Sequence, residues 1–191
     1  MPTRCAWVSA DPLDKHYHDK EWGVPEHEDN KLFEGITLEG AQAGLSWLTI
    51  LRKREGYREA FGGFDPEIVA TYDKTKVEEL LQNPSIVRHR QKIDSTINNA
   101  KAMLEVQGKF GSLDAFLWEV VGGEPITNGW NSVEDVPSST DLSKTMSKVL
   151  KHHGFKFMGP TTCYAFMQAV GMVNDHATDC FRYHQVSSQS R

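Results

Sequence analysis

Apolar side chains recur at helical spacing through most of this 191-residue sequence, and glycines, prolines and capping residues cut the recurrence into pieces of helix length. A helix is expected from about Asp29 into Leu38–Trp47, where Gly44 breaks it and Ser46 caps a second helix carrying Trp47, Ile50, Leu51 and Phe61. Asp65-Pro66 has the cap-then-proline form of a helix start, and Val77, Leu80 and Leu81 mark a short helix that Asn83-Pro84 ends. Ile93, Ile97, Ala100 and Leu104 share a face of a longer helix closed by Gly108. Leu113, Phe116, Leu117 and Val120 form another before Gly122-Gly123. Residues 122–139 read as an irregular loop, too poor in β-branched residues for a strand. The fold class is therefore all-α, with about 1–29 as a loop-rich, aromatic segment that needs something to pack on.

One stretch breaks the pattern chemically. At helical spacing Leu32, Ile36, Glu39, Ala43, Trp47 and Ile50 fall on one stripe, so a carboxylate interrupts a core-facing surface. Burying a charged carboxylate costs several kcal/mol unless something binds it. A lone glutamate at the edge of a stripe can also snorkel to water or cap a neighbouring helix. Leu45 falls at the tip of the helix–helix turn, where an apolar side chain is exposed unless it inserts into a neighbour or a ligand.

The C-terminal third reads as helix, hairpin, helix. Leu142, Met146, Val149 and Leu150 form a face ended by Gly154, and Phe155–Pro160 leads to a helix over about 161–171. Glycine at such a hairpin lets backbone amides approach a phosphate at the positive end of the second helix, and Lys156 adds a charge beside it. A tight connection between two packed helices needs the same glycines. No net positive charge is required, and the chain has none: its formal charge is -5. Arg52-Lys53-Arg54, Arg88-His89-Arg90 with Lys92, and Lys148, Lys151 and Lys156 are local basic clusters, or solvated helix faces.

Three cysteines do not make a disulfide framework and fit a reducing compartment. His176 and Cys180 have a spacing that can place both on one metal, and Cys5 with His18 offers a second pair. Four such ligands would make a closed, structural zinc site. His16, His152 and His153 compete for the same role, whereas Cys163 lies in an apolar helix and reads as core. No apolar run has the length of a membrane span, and the first residues lack the pattern of a signal peptide, so a cytoplasmic protein is expected.

Arg4–Val8, Tyr17–Pro25, Leu38–Trp47, Arg88–Arg90, Gly154–Gln168 and Val173–His176 resemble the 3-methyladenine DNA glycosylase I family, in order and over nearly the whole chain. The resemblance implies an all-α, helix-hairpin-helix DNA glycosylase of base excision repair. It implies a single unit, 1–191, of two helical lobes, with the termini, about 1–28 and 172–184, tied by one structural zinc on Cys5, His18, His176 and Cys180. No organic cofactor is implied.

By the same resemblance Glu39 is the catalytic residue and Tyr17, Trp47, Trp22 and Trp7 receive the base. Gly44, Leu45, Lys156, Gly159 and Thr161 would meet the DNA, Leu45 as a wedge filling the place of the extruded base. The expected substrate is double-stranded DNA with alkylated bases, and the expected form a monomer. Lyase-type glycosylases with this hairpin carry a lysine where Thr161 stands, and many carry an aspartate where Asn174 stands. A hydrolase without strand cleavage is therefore expected, with Asp175 reaching the aspartate's role only by a one-residue shift. Two features depart from the family: Asp14 stands where some members have a further pocket aromatic, and the tail after Cys180 is the chain's own.

Overall fold

A computed structural model of the chain describes residues 2–188. Ten α-helices occupy this span, joined by three short 3-10 turns and one pair of two-residue strands. The first departure from expectation is at the N-terminus, where α1 spans Pro12–Lys20. Asp11 accepts the Leu13 N–H and Pro12 sits at the first helical position, so the dipeptide that looks like a turn is a helix start. Only three spaced positions of α1, at Asp14, Tyr17 and His18, are buried, and two of the three are polar or charged. Hydrophobic periodicity could not reveal it.

α2 (Asp29–Ala41) begins as an amphipathic helix and ends enclosed, with every residue from Ile36 to Ala41 buried. The stripe drawn from Leu32 to Ile50 therefore ends early: Ala43 lies in the exposed turn after α2, and Trp47 opens α3 (Trp47–Ala60). Ser46 caps α3 through the Thr49 N–H at 3.2 Å. After α4 (Pro66–Val69) and α5 (Lys74–Leu81) comes α6, Arg90–Phe110. It runs through Gly108 and stops at Gly111, which takes φ 90°. Gly108 is exposed with open space around it, so it costs about 1 kcal/mol of helix propensity without breaking the chain's course.

α7 (Leu113–Trp118) is followed by the irregular segment, which contains the other departure from an all-α chain. β1 (Ile126–Thr127) pairs in parallel with β2 (Val173–Asn174), Ile126 opposite Val173. Two residues each are too few for a legible period. α8 (Asp141–His152) and α9 (Pro160–Ala169) pack together across a short connection, and α10 spans Arg182–Ser187.

One large core, built on Phe33, Ile36, Phe61, Phe64, Met103 and Phe166, fills the centre. A smaller cluster joins the two ends of the chain: Cys5, Tyr17, Trp22, Leu51 and Cys180, with Trp7, Trp47 and Phe181 against it. Gly171 (φ 72°) lets the end of α9 approach Val24-Pro25 so closely that a Cβ there would overlap the Val24 carbonyl carbon. No helix among the described residues is long and apolar enough to cross a membrane.

Candidate active site and metal centre

The N-terminal aromatics and the end of α2 meet at a cavity of about 260 Å³. Trp7, Tyr17 and Trp22 come from the N-terminal segment, Glu39 from α2 and Trp47 from the first turn of α3. The Tyr17 and Trp47 rings lie 5.3 Å apart, and Trp7 packs edge-on against Trp22 at 5.0 Å. Tyr17, Glu39 and Trp47 also border a cavity of about 290 Å³, along which Arg54–Glu21 and Arg58–Glu34 ion pairs run. All four aromatics surround only the first cavity, which makes it the better receptor for a flat ring.

Glu39 is 6% exposed and its carboxylate makes no hydrogen bond among the described residues. Burial alone pushes its pKa up to about 8. The Tyr17 hydroxyl is held well above its ordinary range, first by burial and then by the Glu39 charge. The indole N–H groups of Trp7 and Trp47 are buried without a partner among the described residues. Buried donors left unpaired are costly to fold. The arrangement suits a flat, positively charged group with donors on its edge.

Asp175, equally buried, has the opposite surroundings. Asn128 Nδ2 and Trp130 Nε1 donate to Oδ1 at 2.7 and 2.8 Å, while the Tyr164 hydroxyl and Gln168 Nε2, the latter at 2.9 Å, donate to Oδ2. Both oxygens are engaged, so the carboxylate is a fixed node at the cavity's edge. Its partners explain residues that sequence reasoning passed over: the node anchors the irregular segment whose Ser132, Val133 and Val136 close one side of the cavity. Polar spacing in a loop carries no signal for this. Asp14 turns away from the cavity and accepts the Ser9 N–H at 2.7 Å. Asn174 is also internally bonded, donating to Tyr183 O and Ser187 Oγ at 3.0 Å each.

Cys5, His18, His176 and Cys180 are all buried, and their ligand atoms lie within 4.8 Å of one another. Cys5 Sγ lies 3.5 Å from His176 Nδ1, and Cys180 Sγ lies 3.5 Å from His18 Nε2 and 3.6 Å from His176 Nδ1. Tetrahedral zinc with ordinary Zn–S and Zn–N bonds requires sulfur–nitrogen edges of about 3.6 Å. The remaining ring nitrogens are also oriented: His18 Nδ1 against Asp19 at 2.8 Å, itself held by Arg4, and His176 Nε2 against Trp22 O at 3.0 Å. Such outer partners fix the tautomer of a ligating histidine. The residues fit a tetrahedral cation. His16, His152 and His153 lie outside this group.

On the face bearing the α2–α3 turn, Gly44 takes φ 80° and Leu45 is 39% exposed. The connection between α8 and α9 holds two left-handed positions, Gly154 (φ 84°) and Phe157 (φ 60°). Lys156, Gly159 and Thr161 are exposed. Asn99 occupies the Lys156 main chain, accepting its N–H at 2.8 Å and donating to its carbonyl at 3.0 Å. The N–H groups of Phe157, Met158 and Gly159 have no partner among the described residues. Of the basic clusters, Arg52 and Arg90 are paired with Asp11 and Glu78, while Lys148, Lys151 and Lys156 form no ion pair among the described residues.

Residues 7–183 match the family model described as methyladenine glycosylase. The chain is 50% identical to DNA-3-methyladenine glycosylase 1 of Escherichia coli over 180 residues, covering 94% of this chain and 96% of that protein. It is 48% identical to the DNA-3-methyladenine glycosylase of Haemophilus influenzae, over 94% of this chain and 97% of the other. It is also similar, at 39% identity and a TM-score of 0.92, to the Staphylococcus aureus 3-methyladenine DNA glycosylase I whose structure describes recognition of 3-methyladenine. That match covers 94% of this chain and 96% of the other.

Proposed function

The chain belongs to the methyladenine glycosylase family, and on that premise we propose that it hydrolyses the N-glycosidic bond of 3-methyladenine in alkylated duplex DNA. The observation that carries the reading is Glu39: a buried carboxylate with no partner, in a cavity walled by four aromatic rings.

Methylation at N3 gives the glycosylated adenine a positive charge, so the base leaves readily once it is out of the helix. Extrusion costs a few kcal/mol. Tyr17 and Trp47 offer π faces to the cation, worth about 0.5–2 kcal/mol depending on desolvation, with Trp22 and Trp7 backing them. A cation entering beside Glu39 favours its ionised form, which accepts hydrogen bonds from the base edge. Neutral adenine gives no such return for ionising a buried acid. In the chemical step the bond from C1′ to the base breaks and its electron pair neutralises the base. Water then adds to the electron-poor sugar carbon and loses a proton, leaving an abasic site. No lysine lines the cavity, which supports hydrolysis without a Schiff base and without strand cleavage.

The DNA is held from outside the cavity. The unpaired amides of Phe157, Met158 and Gly159, with Thr161 at the start of α9, receive a phosphate, and Lys156 adds charge. The Gly44 turn presents Leu45 to the base stack. Cys5, His18, His176 and Cys180 would hold one zinc, which supplies a cross-link and no chemistry, since four protein ligands leave it no open position. No organic cofactor is needed for this reaction, and one chain carries every group it uses.

The test is incubation with methylated duplex DNA and identification of the products. Free 3-methyladenine and an intact, heat-labile strand are expected. A covalent adduct trapped by borohydride would overturn the hydrolytic route, and absence of released base would overturn the activity.

A further inference from the structure

The turn that carries Leu45 has little to pack against. Residues 43–46 are exposed, so burial cannot hold the leucine at a set height, and such turns open at low cost. The first carbonyl of the turn, Ala43 O, and the last of α2, Ala41 O, are held from another element instead. Lys92, on α6, donates from Nζ to Ala41 O at 2.8 Å and to Ala43 O at 2.9 Å. Ala41 ends α2, and the last carbonyls of a helix lack intrahelical partners and carry the negative end of its dipole, so an ammonium suits the place. Thr49, on α3, shares a hydrogen bond with Ser46 Oγ at 2.8 Å, at the far end of the turn from these carbonyls, and among the described residues no further side chain from outside the turn bonds it.

Two helical turns further along α6, on the same face, stands Asn99, whose amide pairs with both main-chain groups of Lys156 in the hairpin. The spacing is about 10 Å at the helical rise per residue. One helix thus grips both surface features. The cost is visible at Lys92, whose ammonium pKa is lowered by its burial against the turn.

We propose that Lys92 is a positioning residue for base extrusion: it fixes the Gly44–Leu45 turn at a constant offset from the hairpin, so that DNA gripped by the hairpin presents one nucleotide to the leucine. The inference rests on the glycosylase reading and on Leu45 entering the duplex. It withdraws Lys92 from the phosphate-binding role that its place beside Arg88 and Arg90 suggests.

Lys92→Met keeps most of the stem and removes the donors. Single-turnover excision from methylated duplex is expected to fall about tenfold, the scale of a lost charge-assisted hydrogen-bond pair. Affinity for free 3-methyladenine, read by quenching of the pocket tryptophans, is expected to stay unchanged, while the melting temperature falls by about 2–4 °C because the two hydrogen bonds are lost from the free protein as well. The salt dependence of duplex binding keeps its slope, because no phosphate contact is lost. Leu45→Ala is expected to lose a similar factor and the double variant no more than either, since both remove one device. Lys92→Arg recovers part of the rate.

A salt slope shallower by about 0.9 would make Lys92 a phosphate ligand. Losses that multiply in the double variant, or unchanged excision by Lys92→Met, would equally overturn the inference. If Leu45→Ala alone leaves excision intact, the wedge fails and this inference with it. A wild-type protein that releases no base overturns the glycosylase reading itself.

Discussion

At Glu39 a carboxylate gives up its hydration and gains no partner, whereas at Asp175 four donors from two parts of the chain close around the same group. Identical chemistry is thus assigned opposite uses by surroundings. The Glu39 imbalance has a thermodynamic signature. Its carboxyl titrates near 4.5 when exposed and near 8 in the fold, so between those values the folded state holds the extra proton. Stability therefore falls as pH rises through this window, by at most about 1.4 kcal/mol per pH unit. Glu39→Gln removes that slope. Thermal melts of the two proteins are expected to converge near pH 5 and to favour the variant increasingly towards pH 8. The same variant is expected to lose most 3-methyladenine release, at least about 100-fold, the scale of a lost electrostatic stabiliser, measured in single turnover. Equal pH slopes in the melts would remove the buried acid, and normal release would remove Glu39 from catalysis.

At the scale of elements, close approach rather than propensity decides where the termini sit. The α9 end meets the N-terminal segment through Gly23 N–H to Gln168 O at 3.1 Å and Glu26 N–H to Val170 O at 3.0 Å. Gly171 permits this by lacking a Cβ and by holding φ 72°. Gly171→Ala combines a backbone overlap with a left-handed strain, and is expected to destabilise the fold by more than about 2 kcal/mol, read as a lower denaturant midpoint. Gly108→Ala, in the exposed last turns of α6 with open space around it, is expected to stabilise by about 0.5–1 kcal/mol. The pair separates a glycine required by contact from one that is merely tolerated.

For the whole molecule, the aromatic N-terminus depends on groups about 160 residues away. Trp7 packs on His18, and Trp22 on His18 and His176, so the Cys/His cluster and the aromatic cavity share walls. Elemental analysis of the native protein is expected to find one equivalent of zinc, and chelation, or Cys5→Ser, to lower the melting temperature and weaken binding of free 3-methyladenine together. Full base affinity in metal-free protein would show that the cavity stands without the clamp.

The succession of helices was legible in the sequence because helix formation is local. Asp65-Pro66, Ser46 and the apolar face of α6 act within a turn or two of themselves. The same locality explains the misses. Gly108 looks like a stop until Gly111 is seen to hold the left-handed position, α1 buries polar groups that hydrophobic periodicity ignores, and β1–β2 pairs residues 47 apart. The sequence by itself determined which groups were available: a glutamate in an apolar stripe, cysteines and histidines at both ends, aromatics without a period, a leucine at a turn. Only the tertiary structure decided that, among the described residues, Glu39 has no partner and Asp175 has four, that the two Cys/His pairs meet, and that α6 grips both the leucine turn and the α8–α9 connection. A side chain's partner comes from whichever distant element packs beside it, and that choice depends on the shape of the whole core.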